Sequence, residues 1–370
     1  MTRNLLYYGG VASLCAAMLT SAQAQQSPPP GAVAGVAEGV SVVPPPPAGF
    51  DPLTASPAAR QLYGVPPEPD AALAPAAHAM WARAMSGFDN RETPTLTPTN
   101  VFNGPNRPIG GSAPYVDSTG ARVNNVVTTS SENWSGTSVV SSGTPFTKEE
   151  IIGLFVVPTA HVAFGTCTGD TDFVSVWPGI DGNGSADLLQ AGIQATARCE
   201  NGVTSASYSA WIEWVPNGET LVSSPIVHPG DEIFVDVWNT TGFAGKALFY
   251  NYSTQKTAEY NLASPNSFPL KGNSIEWIVE RTEVGGSFST LTNYIDVSWA
   301  EGVAWNYEAK TPTFYDQGKP PAAGTLQVMT MLDNNGDGIS APTIENDDFV
   351  FDQNFGSSCG TPPSTKEPPC

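Results

Sequence analysis

The side chains of this chain that could do chemistry are carboxylates, amides and indoles rather than histidines or thiols. Only His78, His161 and His228 are present, and no His-Glu-x-x-His spacing occurs. Neither a Gly-x-Ser-x-Gly elbow nor a cysteine with a credible histidine partner is found, and phosphate-loop and dinucleotide fingerprints are absent. Zinc-peptidase and Ser or Cys triad chemistry therefore have no support, and no metal or cofactor is expected. Three segments hold what remains. In Ser274-Ile275-Glu276-Trp277-Ile278-Val279-Glu280, a strand period of two puts Ile275, Trp277 and Val279 on one face and Glu276, Ile278 and Glu280 on the other. One face is core and the other opens to a cleft or to solvent. In Tyr208-Ser209-Ala210-Trp211-Ile212-Glu213-Trp214, Trp211 and Glu213 point away from Tyr208, Ile212 and Trp214. Ala186-Asp187-Leu188-Leu189-Gln190-Ala191-Gly192 puts one amide, Gln190, at the end of an apolar run. A tryptophan beside a carboxylate suggests a binding cleft, and a positioned carboxylate can move protons. Taken singly, an outward Glu is usually just solvated and a lone Gln a satisfied polar group.

These groups need strands to hold them, and from residue 124 onward the chain supplies them. Short β-branched and aromatic runs separated by Gly, Asn, Asp and Pro read as strands at 151–157, 172–177, 205–215, 232–238, 247–252, 274–280, 325–331 and 348–352. No long helical period interrupts them, so the expected class is all-β, a sandwich or barrel. Gly 36 and Pro 34 in 370 residues also argue against a mainly helical protein. The first third reads differently. Between residues 25 and 75 there are 13 prolines, a composition expected to be extended and mobile. A short helix over 76–88, with Met80, Trp81, Met85 and Phe88 on one face, is the exception, and a second Pro/Asn/Gly-rich run follows it to about residue 123. Residues 25–123 are thus expected to be a propeptide or a Pro-rich linker.

Arg3, the apolar stretch 5–19 and Ala22-Gln23-Ala24 have the form of a signal peptide spanning 1–24, cut before Gln25. The mature product is expected to be secreted, extracellular or periplasmic, with no membrane span. It keeps Cys167, Cys199, Cys359 and Cys370, which in an oxidising compartment allow three connectivities; the most local pairs Cys167 with Cys199 and Cys359 with Cys370. A net charge of -20 repels phosphate backbones, so nucleic acid is not an expected partner. Residues 124–370 hold 28 acidic and 9 basic side chains, which suits acidic surroundings. No coiled-coil pattern or long apolar helix face is present, and a monomer is expected. Asp333-Asn334-Asn335-Gly336-Asp337-Gly338 resembles the first half of a calcium loop, but Ile344 falls at its twelfth position, so a polar turn is the better reading. Asn133, Asn183, Asn239 and Asn251 open glycosylation sequons, which matter only in a eukaryotic secretory pathway.

Five segments taken together resemble one family. Glu132-Asn133-Trp134-Ser135-Gly136, Trp177-Pro178-Gly179-Ile180-Asp181-Gly182, Leu188-Leu189-Gln190-Ala191-Gly192, Tyr208-Ser209-Ala210-Trp211-Ile212-Glu213-Trp214 and Glu276-Trp277-Ile278-Val279-Glu280 occur in the order seen in the glutamic peptidases, or eqolisins. The resemblance covers about 124–356 and leaves 357–370 as a tail. It implies a lectin-like sandwich of two antiparallel sheets, export with a propeptide, and endopeptidase activity in acid on protein or peptide substrates, insensitive to pepstatin. By position it implies Gln190 and Glu280 as catalytic residues, with Trp134, Trp177, Asp181, Trp211 and Glu213 lining or supporting the cleft. Glu280 would take a proton from water and pass it to the leaving nitrogen, while the Gln190 amide would donate to the oxyanion. Ser209 and Gln194 stand where family members commonly carry Asp, which bears on pH optimum and subsites. Two rival readings exist: a carbohydrate-binding lectin-like module using the tryptophans, and a glycosidase using Glu276 and Glu280. The latter pair lies about 13 Å apart along a strand, against ~5.5 Å between the carboxyls of a retaining pair.

Overall fold

A computed structural model of the chain describes residues 37–354, apart from 144, 164–166, 266–267 and 347–348. The expected signal peptide, the tail and the Cys359–Cys370 pair lie outside the described residues.

The strands of six or more residues are β1 Pro108–Val116, β2 Arg122–Ser131, β3 Trp134–Val140, β4 Glu149–Val156, β5 Thr171–Ile180, β6 Leu188–Glu200, β7 Val203–Val215, β8 Glu232–Thr241, β9 Ala244–Asn251, β10 Lys256–Ala263, β11 Ser274–Glu280, β12 Asp296–Asn306, β13 Thr325–Leu332, β14 Gly338–Asn346 and β15 Phe349–Asn354. One sheet runs β7-β6-β5-β11-β3-β13-β2-β1, antiparallel except where β13 lies parallel to β2. The other runs β10-β9-β8-β4-β12-β15-β14, antiparallel throughout. The β13–β14 hairpin links the two at one edge. The protein is all-β, as the strand pattern predicts, and a sandwich, as the family resemblance implies.

Period-two alternation builds the core between the sheets. Ile151 and Phe155 of β4, Ile233, Val235 and Val237 of β8, Ile212 and Trp214 of β7, and Ile275, Trp277 and Val279 of β11 all pack into it. Burying such side chains contributes about 1.5–3 kcal/mol each. The opposite face of the first sheet carries a second apolar set, Trp134, Trp177, Leu188, Trp211 and Ile278 among them. Gly192 of β6 allows this face to close up. A Cβ there would sit 2.6 Å from the Trp177 Cβ and 2.2 Å from the Val176 carbonyl oxygen.

Residues 37–123 contain few regular elements beyond β1 and two helices, as their proline content predicts, yet they are packed rather than loose. Helix α1 (Pro57–Leu62) is capped by Ser56, whose Oγ accepts from the Ala59 amide. Helix α2 (Pro75–Met85) buries Ala77, Met80, Trp81, Ala84 and Met85. With Phe88, these side chains cover the outer face of the second sheet, against Ile152, Leu154, Phe234, Trp238, Leu248, Tyr250 and Tyr252. Buried Arg91 pairs with buried Glu259 of β10 at 2.5 Å, and Val40–Val42 adds a strand beside β10. The chain then crosses to the first sheet. Leu96–Pro98 pairs with Thr220–Val222, which pairs with β7, and Val101–Phe102 pairs with Glu283–Val284.

Candidate functional site

The site begins with two strand pairings. In β6 and β7, Gln190 stands opposite Glu213. In β5, β11 and β3, Glu280 stands opposite Ser175 on one side and Trp134 on the other, with Ile278 opposite Trp177. Strand alternation turns Gln190, Glu213, Trp177, Trp211, Trp134, Glu276 and Glu280 away from the inter-sheet core, as the sequence period predicts. The expectation that this face opens to a cleft or to solvent is not met, because every residue of β11 is buried. The cover is the crossing segment 99–107.

Its central peptide group, Asn103 to Gly104, is held at both ends. The Gln190 amide nitrogen donates to the Asn103 carbonyl oxygen at 2.5 Å, and the Gly104 amide donates to Glu280 Oε1 at 2.9 Å. The Gly104 carbonyl accepts from Trp134 Nε1 at 3.0 Å and from Asn133 Nδ2 at 3.3 Å. On the other side, the Asn103 amide donates to Glu213 Oε2 at 3.1 Å. The Asn103 side-chain amide donates to Glu213 Oε2 at 3.1 Å and to Glu219 Oε2 at 3.2 Å. Gln190 and Glu280 thus meet through one peptide bond.

Glu280 accepts further bonds from Asn133 Nδ2 at 3.1 Å and, on Oε2, from Trp177 Nε1 at 2.9 Å. Burial pushes its pKa well above the usual carboxylate range, while the donors Asn133, Trp177, Gly104 and Trp134 pull it back. Glu213 is also raised well above its usual value, first by burial and then by the neighbouring charges of Glu219 and Glu280. Glu219 is raised to about 7 by burial, opposed by bonds from Asn103, Gln194 and Thr99. Gln190 Oε1 and Glu213 Oε1 are buried without a hydrogen-bond partner.

The three tryptophans are fully buried, and Trp134 meets Trp177 edge to face with centroids 5.1 Å apart. No indole face is displayed for stacking on a sugar while segment 99–107 is in place. Asp181 is not brought to the Gln190–Glu280 pair. It adopts φ +71° at the end of β5 and gathers the backbone before β11, accepting from the amides of Lys271 at 2.8 Å, Gly272 at 2.9 Å and Asn273 at 2.5 Å. Burial raises its pKa to about 7, helped by the charge of Asp187. Glu276 lies one strand repeat beyond Ile278 and accepts from Ser138 Oγ at 3.2 Å.

Gln194 and Ser209, the two positions where the resemblance leads one to expect Asp, stand opposite each other in β6 and β7. Gln194 Nε2 donates to both oxygens of Glu219, at 2.9 and 2.8 Å. Asn103, Gly104, Asn133, Gln194 and Glu219 were not assigned roles by sequence. Asn133 and Gln194 lay within reach, one beside Trp134 and the other on the same strand face as Gln190. Asn103 and Gly104 carried no signal inside a Pro-rich run.

Cys167 and Cys199 form a disulfide, as the local pairing predicts. His78 lies 3.1 Å from Glu68 and His228 3.5 Å from Asp231. Among the described residues, no cluster of three or more His, Cys, Asp or Glu could hold a metal ion, and no helix is long and apolar enough to cross a membrane. Asp333 closes the β13–β14 turn, accepting from the Asn335 and Asp337 amides at 2.8 and 2.9 Å.

Several solved structures are similar to this chain. Scytalido-glutamic peptidase bound to a transition state analog inhibitor shares 20% identity over 60% of this chain and 98% of its own, with a TM-score of 0.47. SCP-B, a member of the eqolisin family solved with the tripeptide Ala-Ile-His, shares 18% over 60% and 98%, with a TM-score of 0.42. Aspergilloglutamic peptidase from Aspergillus niger shares 26% over 50% and 99%, with a TM-score of 0.40. No curated protein matches. The model of the Peptidase A4 family matches residues 132–350, more than half of the chain and all five of the motifs that hold Gln190, Glu280 and their neighbours. The chain belongs to that family, the glutamic peptidases or eqolisins.

Proposed function

We propose that the protein is a secreted acid endopeptidase, made as a precursor, in which Glu280 moves protons and Gln190 stabilises the oxyanion. The observation that carries this reading is the pair of contacts on one peptide group: the Gln190 amide on a carbonyl oxygen and the Glu280 carboxylate on the adjacent amide nitrogen. Hydrolysis needs a donor where the carbonyl oxygen gains charge and a proton carrier near the nitrogen that leaves.

In this reading a water attacks the carbonyl carbon and gives its proton to ionised Glu280. The negative oxygen of the tetrahedral intermediate is held by Gln190 Nε2, a donor that stays neutral in acid. The C–N bond then breaks as Glu280 returns the proton to the leaving amine. Asn133, Trp134 and Trp177 orient Glu280 and the substrate backbone, with Trp211 packed behind them and Glu213 as a subsite wall. Asp181 acts at a distance, by fixing the backbone that leads into β11. Burial is the largest force raising Glu280, and the donors Asn133, Trp177, Gly104 and Trp134 oppose it; donors converging on the carboxylate favour the ionised form that serves as the base. Substrates are proteins or peptides, and the working form is a monomer without a cofactor.

The test is digestion of an unfolded protein across roughly pH 2 to 8 by the acid-treated protein, beside Glu280→Gln and in the presence of pepstatin. Cleavage confined to acid, unaffected by pepstatin and lost in the variant supports the proposal. Undiminished cleavage by Glu280→Gln would overturn it.

A further inference from the structure

We infer that the Asn103–Gly104 bond is the protein's own first substrate, cut within the same chain by Gln190 and Glu280. The inference rests on the peptidase reading above and adds its substrate. Segment 99–107 does not merely lie over the site. Its carbonyl oxygen and amide nitrogen at one bond contact the two side chains that hydrolysis requires, at 2.5 and 2.9 Å. The flanking groups are held as a bound substrate's would be, with the Gly104 carbonyl on Trp134 and Asn133 and the Asn103 amide on Glu213. The later amides of the segment do not share this arrangement. The Asn106 amide donates to the Gly182 carbonyl, and the Arg107 amide donates to Asn133 Oδ1.

The Asn103 side chain also sits in a made place. Its amide donates to Glu213 and Glu219, both buried, and Glu219 is held in turn by Gln194. The residue before the cut bond is therefore selected as a short side-chain donor. In the reaction, water adds to the Asn103 carbonyl carbon and its proton goes to Glu280. The Asn103–Gly104 C–N bond breaks, the proton passes to the Gly104 nitrogen, and the products are a carboxyl group on Asn103 and a free amine on Gly104.

The experiment holds the purified full chain near neutral pH, shifts it to about pH 4 and follows intact mass and the new N-terminus, with an unfolded protein added to a parallel sample. A new N-terminus at Gly104 is expected, forming at a rate unchanged by a hundredfold dilution and slowed at least about a hundredfold in Glu280→Gln. Circular dichroism checks that Glu280→Gln is folded, and mixing that variant with a trace of active protein shows whether the cut passes between molecules; a rate of cutting at Gly104 that rises with protein concentration would overturn the within-chain step. If the added protein is digested while the Asn103–Gly104 bond stays whole, this inference falls and the peptidase reading stands. If neither reaction occurs, both fall.

Discussion

At Glu280 burial and hydrogen bonding pull in opposite directions. Burial alone would keep a proton on the carboxyl, yet Gly104, Asn133 and Trp177 all donate to it, an arrangement that suits the ionised form. Glu280→Gln puts an NH2 where donors converge, so it should cost about 1–3 kcal/mol of stability as well as ~10²–10⁴ in peptidase rate; thermal melting and turnover on an unfolded protein measure the two separately. Gln190→Ala should lower kcat by about 10²–10³ with little change in fold by circular dichroism. Gln194 offers a third test. It donates to both oxygens of Glu219, so Gln194→Glu sets a second carboxylate against the first. Melting should fall more near pH 7 than near pH 4, where both are neutral, and an equal loss at the two pH values would exclude a charge effect. The alternation of Glu276, Ile278 and Glu280 was legible because side-chain direction in a strand is local. Their burial was not, since the cover comes from residues 99–107, far away in sequence.

Among the elements, α2 and eight of the long strands were readable, and others were not. Met80, Trp81 and Met85 recur at helical spacing, and all three are buried on α2. β6, by contrast, holds Ala, Gly and Gln in a run with weak strand propensity, and it becomes a strand through unbroken pairing with β7 from Leu188 to Glu200. β10 and β12 were missed for the same reason, because pairing partners rather than composition decide a strand of mixed sequence. The disulfide was the local choice, and it ties Cys167 ahead of β5 to Cys199 near the end of β6. The sequons show the converse, a motif cancelled by structure: Asn133, Asn183, Asn239 and Asn251 are all buried. Trp81 is the strongest handle on the N-terminal cover. Trp81→Ala should cost about 3–5 kcal/mol, visible as early protease access to residues 57–92 before the sandwich melts. Uniform loss of protection across the whole chain would instead make the cover and sandwich one cooperative unit.

Over the whole molecule, a set of buried carboxyls sets the response to pH. Burial raises Glu149 to about 8, Asp181 and Glu219 to about 7 and Asp352 to about 6, and it raises Glu213, Glu276 and Glu280 well above their usual values. The folded chain therefore keeps protons that the unfolded chain loses near pH 4. Stability is fully present below the unfolded values and falls as pH rises from about 4 to about 8. A tenfold difference in proton affinity between the folded and unfolded chain is worth about 1.4 kcal/mol, so the melting temperature should be higher near pH 4 than near pH 8 by roughly 5–15 °C; a protein more stable at the alkaline end would refute this. The cover adds a second expectation. A chain cut after Asn103 still holds its N-terminal part through Trp81, Phe88 and the Arg91–Glu259 pair, so the two pieces should run together on size exclusion without denaturant.

The sequence by itself determined the all-β class, the helix that carries Trp81, the nearness of Cys167 to Cys199 that makes their pairing the local choice, and the membership of Gln190, Glu280 and the three tryptophans in a family pattern. Each rests on local periodicity, short spacing or motif order. Only the tertiary structure decided that Asp181 fixes a turn away from the Gln190–Glu280 pair, that Gln194 and Ser209 share one position, and that Asn103 and Gly104 bridge the two site residues. Those are contacts between chain segments roughly 90 to 180 residues apart for Asp181, Asn103 and Gly104, or across a strand pair for Gln194 and Ser209. Neither propensity nor composition encodes such contacts, because they exist only once sheets and cover have packed against each other.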